Sequence, residues 1–308
     1  MSKPEWLKKQ WRPTEEMGRV EELVKGLGLN TVCREASCPN YCDCFSRGTA
    51  TFMILGANCT RSCGFCGVTH SAPEPVDTSE AARVAEAVKR LALRYVVITS
   101  VTRDDLSDGG ASEFARTVRA IRDLSPETKI EILIPDFCGD ETALDAVIES
   151  CPDVISHNIE TVKELYGKVR PQADYERSLN ILRYIKRHRD GTNRGDGTFD
   201  RRSLSKVPSP RLVPSPRVKS GLMVGVGETD AQVRETIDDL RAAGCAILTI
   251  GQYLRPTKDN IEVEAYIDPE VFERWAEYAR GAGFEFVASA PFVRSSYHAE
   301  EALDDPVH

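Results

Sequence analysis

Six of the ten cysteines of this chain form two groups of three with different spacings between positions 33 and 66. The first group, C-x4-C-x5-C, consists of Cys33, Cys38 and Cys44. The second group, C-x3-C-x2-C, consists of Cys59, Cys63 and Cys66. Thiolates are the ligands that iron–sulfur clusters and zinc prefer, and a structural zinc site takes four protein ligands. Two groups of three therefore predict two metal centres, each with a coordination position left for a ligand other than cysteine.

The rest of the composition excludes several classes of protein. A formal charge of −8 argues against binding to a nucleic-acid backbone. No run of about eighteen apolar residues predicts a membrane span. The N-terminal sequence MSKPEWLKKQW has no apolar core of a secretory signal, so we expect a cytoplasmic protein with reduced thiols. In a chain of 308 residues of this kind, metal binding is a better explanation of the cysteines than disulfide bonds.

From residue 51 onward, short β-branched runs alternate with helical patterns, which is typical of βα units around a parallel sheet. The predicted strands are 51–57, 95–100, 129–134, 153–159, 218–224, 246–250 and 285–288. The predicted helices are 79–93, 112–124, 141–149, 229–243 and 269–281, with stops at Gly244 and Gly283. The fold class is therefore α/β, a partial (β/α) barrel of about six to seven units. Its chemistry is expected at the carboxyl ends of the strands, where the second cysteine group follows the first strand.

The pattern divides the chain into a barrel and two flanking segments. Residues 1–50 contain a helical pattern at 15–27 and then the first cysteine group in a loop, and we interpret them as an N-terminal extension across the barrel mouth. The barrel occupies 51–290, and the tail 291–308 is expected to help to close its mouth. Within the barrel, 188–216 has the Gly, Pro and Arg composition of a mobile surface loop. Its basic excess favours either a solvated loop or a contact with an acidic partner.

The second cysteine group, with Phe65 before its last cysteine, matches the signature of the radical S-adenosylmethionine superfamily. Three thiolates leave one iron of a 4Fe–4S cluster open for the amine and carboxylate of S-adenosylmethionine. One electron then cleaves the sulfonium bond, and the resulting 5′-deoxyadenosyl radical abstracts hydrogen from an unactivated carbon. The alternative is a zinc site completed by His70, which leaves the first cysteine group unexplained.

Further motifs resemble the lipoyl synthase family. They include CREASCPNYCDC at 33–44, FMILGANCTRSCGFCGV at 52–68, HNIET at 157–161, SGLMVGVGET at 220–229 and RSSYHA at 294–299. The resemblance extends from about residue 30 to 299, apart from the loop at 188–216. Its most specific parts are the first cysteine group and the RSSYHA motif, because the second cysteine group is shared by the superfamily.

The resemblance implies a role for each cysteine group. The second group would hold the cluster that binds S-adenosylmethionine, and the first would hold an auxiliary 4Fe–4S cluster. The fourth ligand of the auxiliary cluster would be a serine of the RSSY motif, for which Ser296 is preferred over Ser295. The sulfides of this cluster would be inserted at C6 and C8 of an octanoyl chain bound to a carrier protein. That carrier is a lipoyl domain of a 2-oxoacid dehydrogenase or a glycine-cleavage H protein, and an electron donor is also required.

Polar residues at strand ends are candidates for binding S-adenosylmethionine. Thr99, Ser100 and Asp104 follow the second predicted strand, where hydroxyls and carboxylates suit a ribose or an ammonium group, although Asp104 and Asp105 could instead cap the next helix.

The fourth predicted strand ends in a similar polar pair. Asn158 and Glu160 are expected to face the site, with a salt bridge at the rim as the alternative, and Arg170 is a candidate partner for a carboxylate.

Two residues depart from the family pattern. Cys42 stands inside the first cysteine group and could replace Cys44 as a ligand, and Asn260 stands where the family usually has His. Cys138, Cys151 and Cys245 are expected to be small buried residues. A monomer is expected by analogy alone. The alternatives are a sulfur-inserting enzyme similar to biotin synthase, which acts on a free small molecule, and a zinc-binding interaction module.

Metal analysis distinguishes these classes without a substrate. We expect a brown protein with about eight iron atoms per chain and matching labile sulfide after anaerobic purification, because two 4Fe–4S clusters are predicted. A colourless protein with zinc and no labile sulfide would show that the interaction module is the correct class.

Overall fold

The computed structural model describes residues 3–9, 12–189 and 216–304. Its strands are β1 (Asn30–Thr31), β2 (Thr51–Ile54), β3 (Asn58–Cys59), β4 (Thr69–His70), β5 (Tyr95–Ser100), β6 (Lys129–Leu133), β7 (Val154–Ser156), β8 (Arg217–Val224), β9 (Ile247–Gln252) and β10 (Phe286–Ser289). Its helices are α1 (Glu15–Gly26), α2 (Val32–Glu35), α3 (Tyr41–Ser46), α4 (Glu80–Arg90), α5 (Ala111–Leu124), α6 (Glu141–Glu149), α7 (Tyr166–Val169), α8 (Tyr175–Arg189), α9 (Asp230–Ala242), α10 (Pro269–Gly281) and α11 (Glu301–Asp304).

The main sheet has eight strands in the order β1-β2-β5-β6-β7-β8-β9-β10. All neighbours are parallel except β1 and β2. Each parallel strand before β10 is followed by a helix, so the sheet contains six βα units and a final strand. The strands are buried on both faces, as the residues of β2 and β9 show, because parallel strands pack between the barrel interior and the outer helices. The predicted partial (β/α) barrel is confirmed.

The seven predicted strands are all present, with ends that differ by a few residues. The five predicted helices are present too, and Gly244 and Gly283 follow α9 and α10 with φ of 92° and 93°. This left-handed conformation is the one that glycine adopts most readily at a helix C-terminus.

Helix α8 was not predicted. Its signal is present in the sequence, because Asp174 accepts a hydrogen bond from the Arg177 amide and Leu179, Leu182 and Ile185 are buried along one face. The predicted loop at 188–216 begins too early, since α8 continues to Arg189, and residues 190–215 lie outside the described part of the chain.

The N-terminal extension adds an edge strand to the barrel, which the sequence did not predict. Asn30 and Thr31 pair with Met53 and Phe52 in antiparallel register. The first cysteine group does not lie wholly in a loop, because Cys33 is in α2. Helices of four to six residues such as α2 and α3 are too short to show a periodic pattern, which explains the error.

The C-terminal tail packs on this extension. The Asn40 side-chain amide donates to the carbonyl of Phe292 at 2.7 Å, and the Tyr297 hydroxyl donates to Asp43 at 2.6 Å. The N-terminal extension and the C-terminal tail are therefore in direct contact, and closure of the barrel mouth by these two segments stays a prediction. None of the helices in the described ranges is long and apolar enough to cross a membrane.

His157 is a buried titratable group directly after β7. Its ring is 1% exposed, with Nδ1 3.0 Å from the carbonyl oxygen of Ile134 and Nε2 3.1 Å from the hydroxyl of Ser178. Burial, followed by the charge of Arg170, lowers the pKa of His157 from 6.5 to about 4.

This pKa makes stability depend on pH. Below pH 6.5 His157 becomes protonated in the unfolded chain, whereas in the folded chain it stays neutral until about pH 4. The folded state is therefore destabilised as the pH falls from 6.5 to 4. The full effect amounts to about 3 kcal/mol at 1.36 kcal/mol per pKa unit. We expect His157→Gln to flatten the free energy of unfolding between pH 6.5 and 4, measured by urea titration. A His70→Gln control should keep the wild-type slope, and an unchanged slope in His157→Gln would contradict this assignment.

Candidate active site

The second cysteine group lies beyond the carboxyl end of β2. Cys59 is in β3, and its sulfur accepts hydrogen bonds from the backbone amides of Arg61 and Thr102 at 3.5 and 3.3 Å. Burial raises the pKa of Cys66 to about 12 and also raises that of Cys63, and both thiols lie within electrostatic range of Cys59. The three thiols thus lie together, and without a cation burial favours the protonated form of Cys63 and Cys66. A metal that binds here must displace those protons.

Arg61 anchors the loop between Cys59 and Cys63. Its side chain is 4% exposed, donates to both carboxylate oxygens of Asp104 at 2.7 and 2.8 Å, and pairs with Asp136 at 2.7 Å. Burial opposes charge on Asp136, but the hydrogen bond and charge of Arg61 outweigh it and hold the pKa of that carboxyl well below its usual range. Sequence reasoning missed Arg61. Its only signal is that it is a charged residue between two candidate ligands.

The second half of the loop is held by backbone contacts. The Gly64 amide donates to the carbonyl of Val169 at 2.9 Å, and the Gly64 carbonyl accepts from Ile261 at 2.9 Å. A Cβ at Gly64 would lie 2.7 Å from the Ile261 side chain, so this approach requires glycine. Asn260 donates to the carbonyl of Cys66 at 2.8 Å. The residue that departs from the family pattern therefore contacts the backbone of this cysteine group.

The first cysteine group lies together in the N-terminal extension. Burial raises the pKa of Cys33 to about 11 and raises that of Cys44 further, and Cys44 lies within electrostatic range of both Cys33 and Cys38. For Cys42, burial and the carboxylate of Glu21 raise the pKa. Cys44 therefore lies within electrostatic range of Cys33 and Cys38, whereas the charged neighbour of Cys42 is Glu21.

The two serines of the RSSY motif face different neighbours. Ser296 lines a small cavity together with Cys44, Thr51 and Tyr95. The hydroxyl of Ser295 instead donates to Oδ1 of Asn158 at 2.7 Å. Ser296 is therefore the serine that shares a cavity with a cysteine of the first group.

A polar cluster lies between the two cysteine groups. Asn158 donates to Glu160 at 3.0 Å, and Arg170, 8% exposed, donates to the Asn158 carbonyl at 3.0 Å. Arg170 lies within electrostatic range of Cys63 and Glu160, and Arg294 within range of Cys38 and Glu160. Burial raises the pKa of Glu160, while the charge of Arg170 and the Asn158 amide lower it. Nε of Arg170 is buried with no hydrogen-bond partner in the described residues.

The candidate residues at the end of β5 and directly after it differ in their hydrogen-bond partners. Thr99 donates to the Leu133 carbonyl at 2.9 Å, whereas the buried hydroxyl of Ser100 has no hydrogen-bond partner in the described part of the chain. Asp104 and Asp105 do not cap α5, because their carboxylates bind Arg61 and Arg103. That interpretation was wrong.

The carboxylate of Asp108 accepts hydrogen bonds from the amides of Gly110 and Ser112 instead, and the N-cap residue itself is Gly110. The three remaining cysteines also differ from expectation: Cys245 is buried, but Cys151 is only half-buried and Cys138 is exposed. The predicted burial of Cys138 is wrong, because it lies in a turn beside Asp104 and Arg61 rather than in a packed segment.

The donor sets fit iron–sulfur clusters better than a single ion. Thiolates around one zinc ion lie about 2.3 Å from it and are therefore close to one another. Among residues 3–9, 12–189 and 216–304, no group of three His, Cys, Asp or Glu side chains has the geometry to hold one metal ion. His70, the proposed fourth zinc ligand, is exposed on β4. Groups of thiols are instead the ligands that iron–sulfur clusters prefer.

Cysteine substitutions test the choice between Cys42 and Cys44. We expect Cys44→Ala to lower the iron content by about four atoms per chain, because one 4Fe–4S cluster loses a ligand. The matched Cys42→Ala variant should keep the wild-type iron and sulfide content after anaerobic reconstitution. The reverse pattern in the iron analysis would show that Cys42 is the ligand.

Comparison with known proteins agrees with this geometry. A family model of the radical S-adenosylmethionine superfamily matches residues 53–240. The fold is similar to Streptococcus suis SuiB bound to S-adenosylmethionine, with a TM-score of 0.55 and 10% identity over 81% of this chain and 54% of that one. It is also similar to methylornithine synthase, with a TM-score of 0.52 and 13% identity over 80% of this chain and 72% of that one.

Full-length relatives are more specific. The chain is 50% identical to lipoyl synthase of Caldanaerobacter subterraneus subsp. tengcongensis, over 98% of this chain and 97% of that protein. It is 49% identical to lipoyl synthase of Alkaliphilus metalliredigens, over 98% of this chain and 96% of that protein. These matches show the lipoyl synthase family, so the chain is neither a zinc-binding interaction module nor a biotin synthase. The chain belongs to the lipoyl synthase family within the radical S-adenosylmethionine superfamily, and is a sulfur-inserting enzyme that uses S-adenosylmethionine and 4Fe–4S clusters.

Proposed function

We propose that the two cysteine groups have different roles in one reaction, the insertion of sulfur at C6 and C8 of an octanoyl chain on a carrier protein. Cys59, Cys63 and Cys66 hold the cluster that binds S-adenosylmethionine. The other cluster is held by Cys33, Cys38, Cys44 and Ser296 and is the source of sulfur. When bound, S-adenosylmethionine and the cluster of Cys59, Cys63 and Cys66 supply one-electron cleavage of the sulfonium bond and hydrogen abstraction from an unactivated carbon.

The observation that carries this proposal is the polar cluster shared by both cysteine groups. Arg170 lies near Cys63 and Arg294 near Cys38, and both lie within electrostatic range of Glu160. A substrate carbon held beside Glu160 is then close to both groups. Proximity of this kind is what two successive steps at C6 and C8 of one chain require.

The residues around the second cysteine group suit S-adenosylmethionine. Its amine and carboxylate need partners of opposite charge, which Glu160 after β7 and Arg170 after α7 provide. The buried hydroxyl of Ser100 and the unbonded Nε of Arg170 are polar groups that a ligand here would satisfy. Thr99 lies one residue earlier at the same edge, while Asp104 acts through Arg61 on the cluster loop.

Ser296 suits the fourth position of the first cysteine group. A serine oxygen is a harder and more weakly held ligand for iron than thiolate, so Ser296 would be the most easily displaced of the four ligands that hold this cluster. The cavity that Ser296 lines together with Cys44 supports this role. Ser295 is less suitable as this ligand, because its hydroxyl is already hydrogen-bonded to Asn158.

The partner in this proposal is an octanoylated lipoyl domain of a 2-oxoacid dehydrogenase or a glycine-cleavage H protein, together with an electron donor. A cytoplasmic location and a monomeric state belong to the same proposal and rest on the sequence. A role of the basic excess in 188–216 in binding an acidic carrier remains a prediction, because most of this segment lies outside the described residues.

Mass spectrometry tests the reaction directly. With S-adenosylmethionine and a reductant under anaerobic conditions, an octanoylated carrier should gain two sulfur atoms and lose two hydrogen atoms. About two S-adenosylmethionine molecules should be cleaved per product, because two C–H bonds must break. An unchanged carrier mass with the fully reconstituted enzyme would contradict the substrate assignment.

Two variants separate the roles of the cysteine groups in the same assay. Cys63→Ala should abolish cleavage of S-adenosylmethionine, whereas Cys44→Ala should still cleave it and leave the carrier without sulfur. If Cys44→Ala formed the lipoyl product at the wild-type level, the first group would not be the sulfur source.

A further inference from the structure

A buried ion pair that has no part in the site described above lies inside the barrel. Nζ of Lys219 on β8 lies 2.8 and 2.9 Å from the two carboxylate oxygens of Glu131 on β6. The two side chains are 1% and 0% exposed. From β5, the Tyr95 hydroxyl donates to Oε2 of Glu131 at 2.6 Å. Three strands therefore contribute to one buried, hydrogen-bonded pair.

Stability alone does not explain such a pair. Removing two charges from water costs several kcal/mol per ion, and apolar residues of similar volume are often at least as stable in that position. The best-attested use of a buried charge is to specify one arrangement among several. The arrangement that this pair specifies depends on the other groups that Lys219 and Glu131 contact.

The third contact of Lys219 is with the C-terminal tail. Its ammonium also donates to the backbone carbonyl of Ser295 at 2.6 Å. An ammonium group has three N–H donors. The two carboxylate oxygens of Glu131 and the carbonyl oxygen of Ser295 are the three acceptors around it. Glu131 and Tyr95 orient the ammonium, and the ammonium in turn holds the tail.

Neighbouring positions on β8 and β9 leave room for the tail. Gly221 is two residues after Lys219 and hence on the same face of β8. A Cβ at this position would lie only 2.6 Å from the Ser295 hydroxyl, and a Cβ at Gly251 on β9 would lie only 2.1 Å from the carbonyl oxygen of Val293. The inner face of these two strands is thus shaped for residues 293–295, and Lys219 supplies the charged contact within it.

We propose that Lys219, oriented by Glu131 and Tyr95, is a positioning residue that presents Ser296 to the first cysteine group. Ser295 is fixed at its carbonyl by Lys219 and at its hydroxyl by Asn158. Because the carbonyl of Ser295 belongs to the peptide bond that leads into Ser296, fixing this oxygen fixes the direction in which Ser296 leaves the strands. This inference rests on the proposed role of Ser296.

The test uses a double variant, because Lys219→Met alone leaves the buried Glu131 carboxylate without its cation and risks loss of the fold. Lys219→Met with Glu131→Gln leaves a neutral pair of similar volume. Tyr175→Phe is the control, since it removes a hydrogen bond to Asp239 in the outer helical layer without contact to the tail. Ser296→Ala is the reference for loss of the proposed ligand. Equal far-ultraviolet circular dichroism establishes that all four proteins are folded.

Two measurements on the reconstituted holoenzymes decide the question. Hydrogen exchange of a peptide covering 291–299 should be at least about tenfold faster in the double variant, because a charged hydrogen bond to the tail is lost. Peptides from α5 should be unchanged. Chelator removal of iron and the Mössbauer spectrum should show one altered cluster, as in Ser296→Ala, while the electron paramagnetic resonance change that S-adenosylmethionine causes at the other cluster persists.

The outcomes separate this inference from the proposed function. Wild-type tail exchange in the double variant would overturn the inference whatever the clusters show. Faster tail exchange with an unaltered cluster, when Ser296→Ala is altered, would also overturn it, because the tail would then not need Lys219 to present its serine. Wild-type spectra in Ser296→Ala would instead refute the ligand assignment, and tail exchange would still report whether Lys219 holds the tail.

Discussion

Charged groups inside this barrel must find partners inside the barrel, and the rest of the site depends on how they do so. Arg61 is held by Asp104 and Asp136, and Lys219 by Glu131. An unpaired buried charge costs far more than a paired one gains, so each of these contacts strongly favours one geometry. The Arg61 contacts hold the loop of the second cysteine group, and the Lys219 contacts hold the tail. Parts of the chain that are far apart in sequence are thereby brought to the same interior.

The cysteine thiols show the other side of the same constraint. Burial raises the pKa of Cys33, Cys44 and Cys66, because a thiolate without a counter-charge is poorly solvated there. Iron supplies the missing positive charge, so protons leave as metal enters. Arg170 and Arg294 extend this balance to the space between the two groups. Cluster binding at these sites is therefore coupled to the release of protons.

Sequence patterns predicted the barrel well, because strands and helices of ordinary length have a clear period of burial. They failed where the elements were short or polar. Helices α2 and α3 have too few residues to show a period, and β1 is an edge strand of two residues. Helix α8 was missed although Asp174 and the apolar face marked it. Asp104 was assigned to two possible roles, and its actual partner, Arg61, lies 43 residues away.

The sequence by itself determined which residues can bind metal, how they are spaced, and the family to which the chain belongs, because ligand type and spacing are local properties. Only the tertiary structure decided that Cys44 rather than Cys42 lies with Cys33 and Cys38, and that Ser296 rather than Ser295 shares a cavity with Cys44. The contact of Lys219 with the tail could not be predicted from the sequence either, since Lys219 and Ser295 are 76 residues apart. Side-chain direction depends on packing between distant segments, and no local pattern records it.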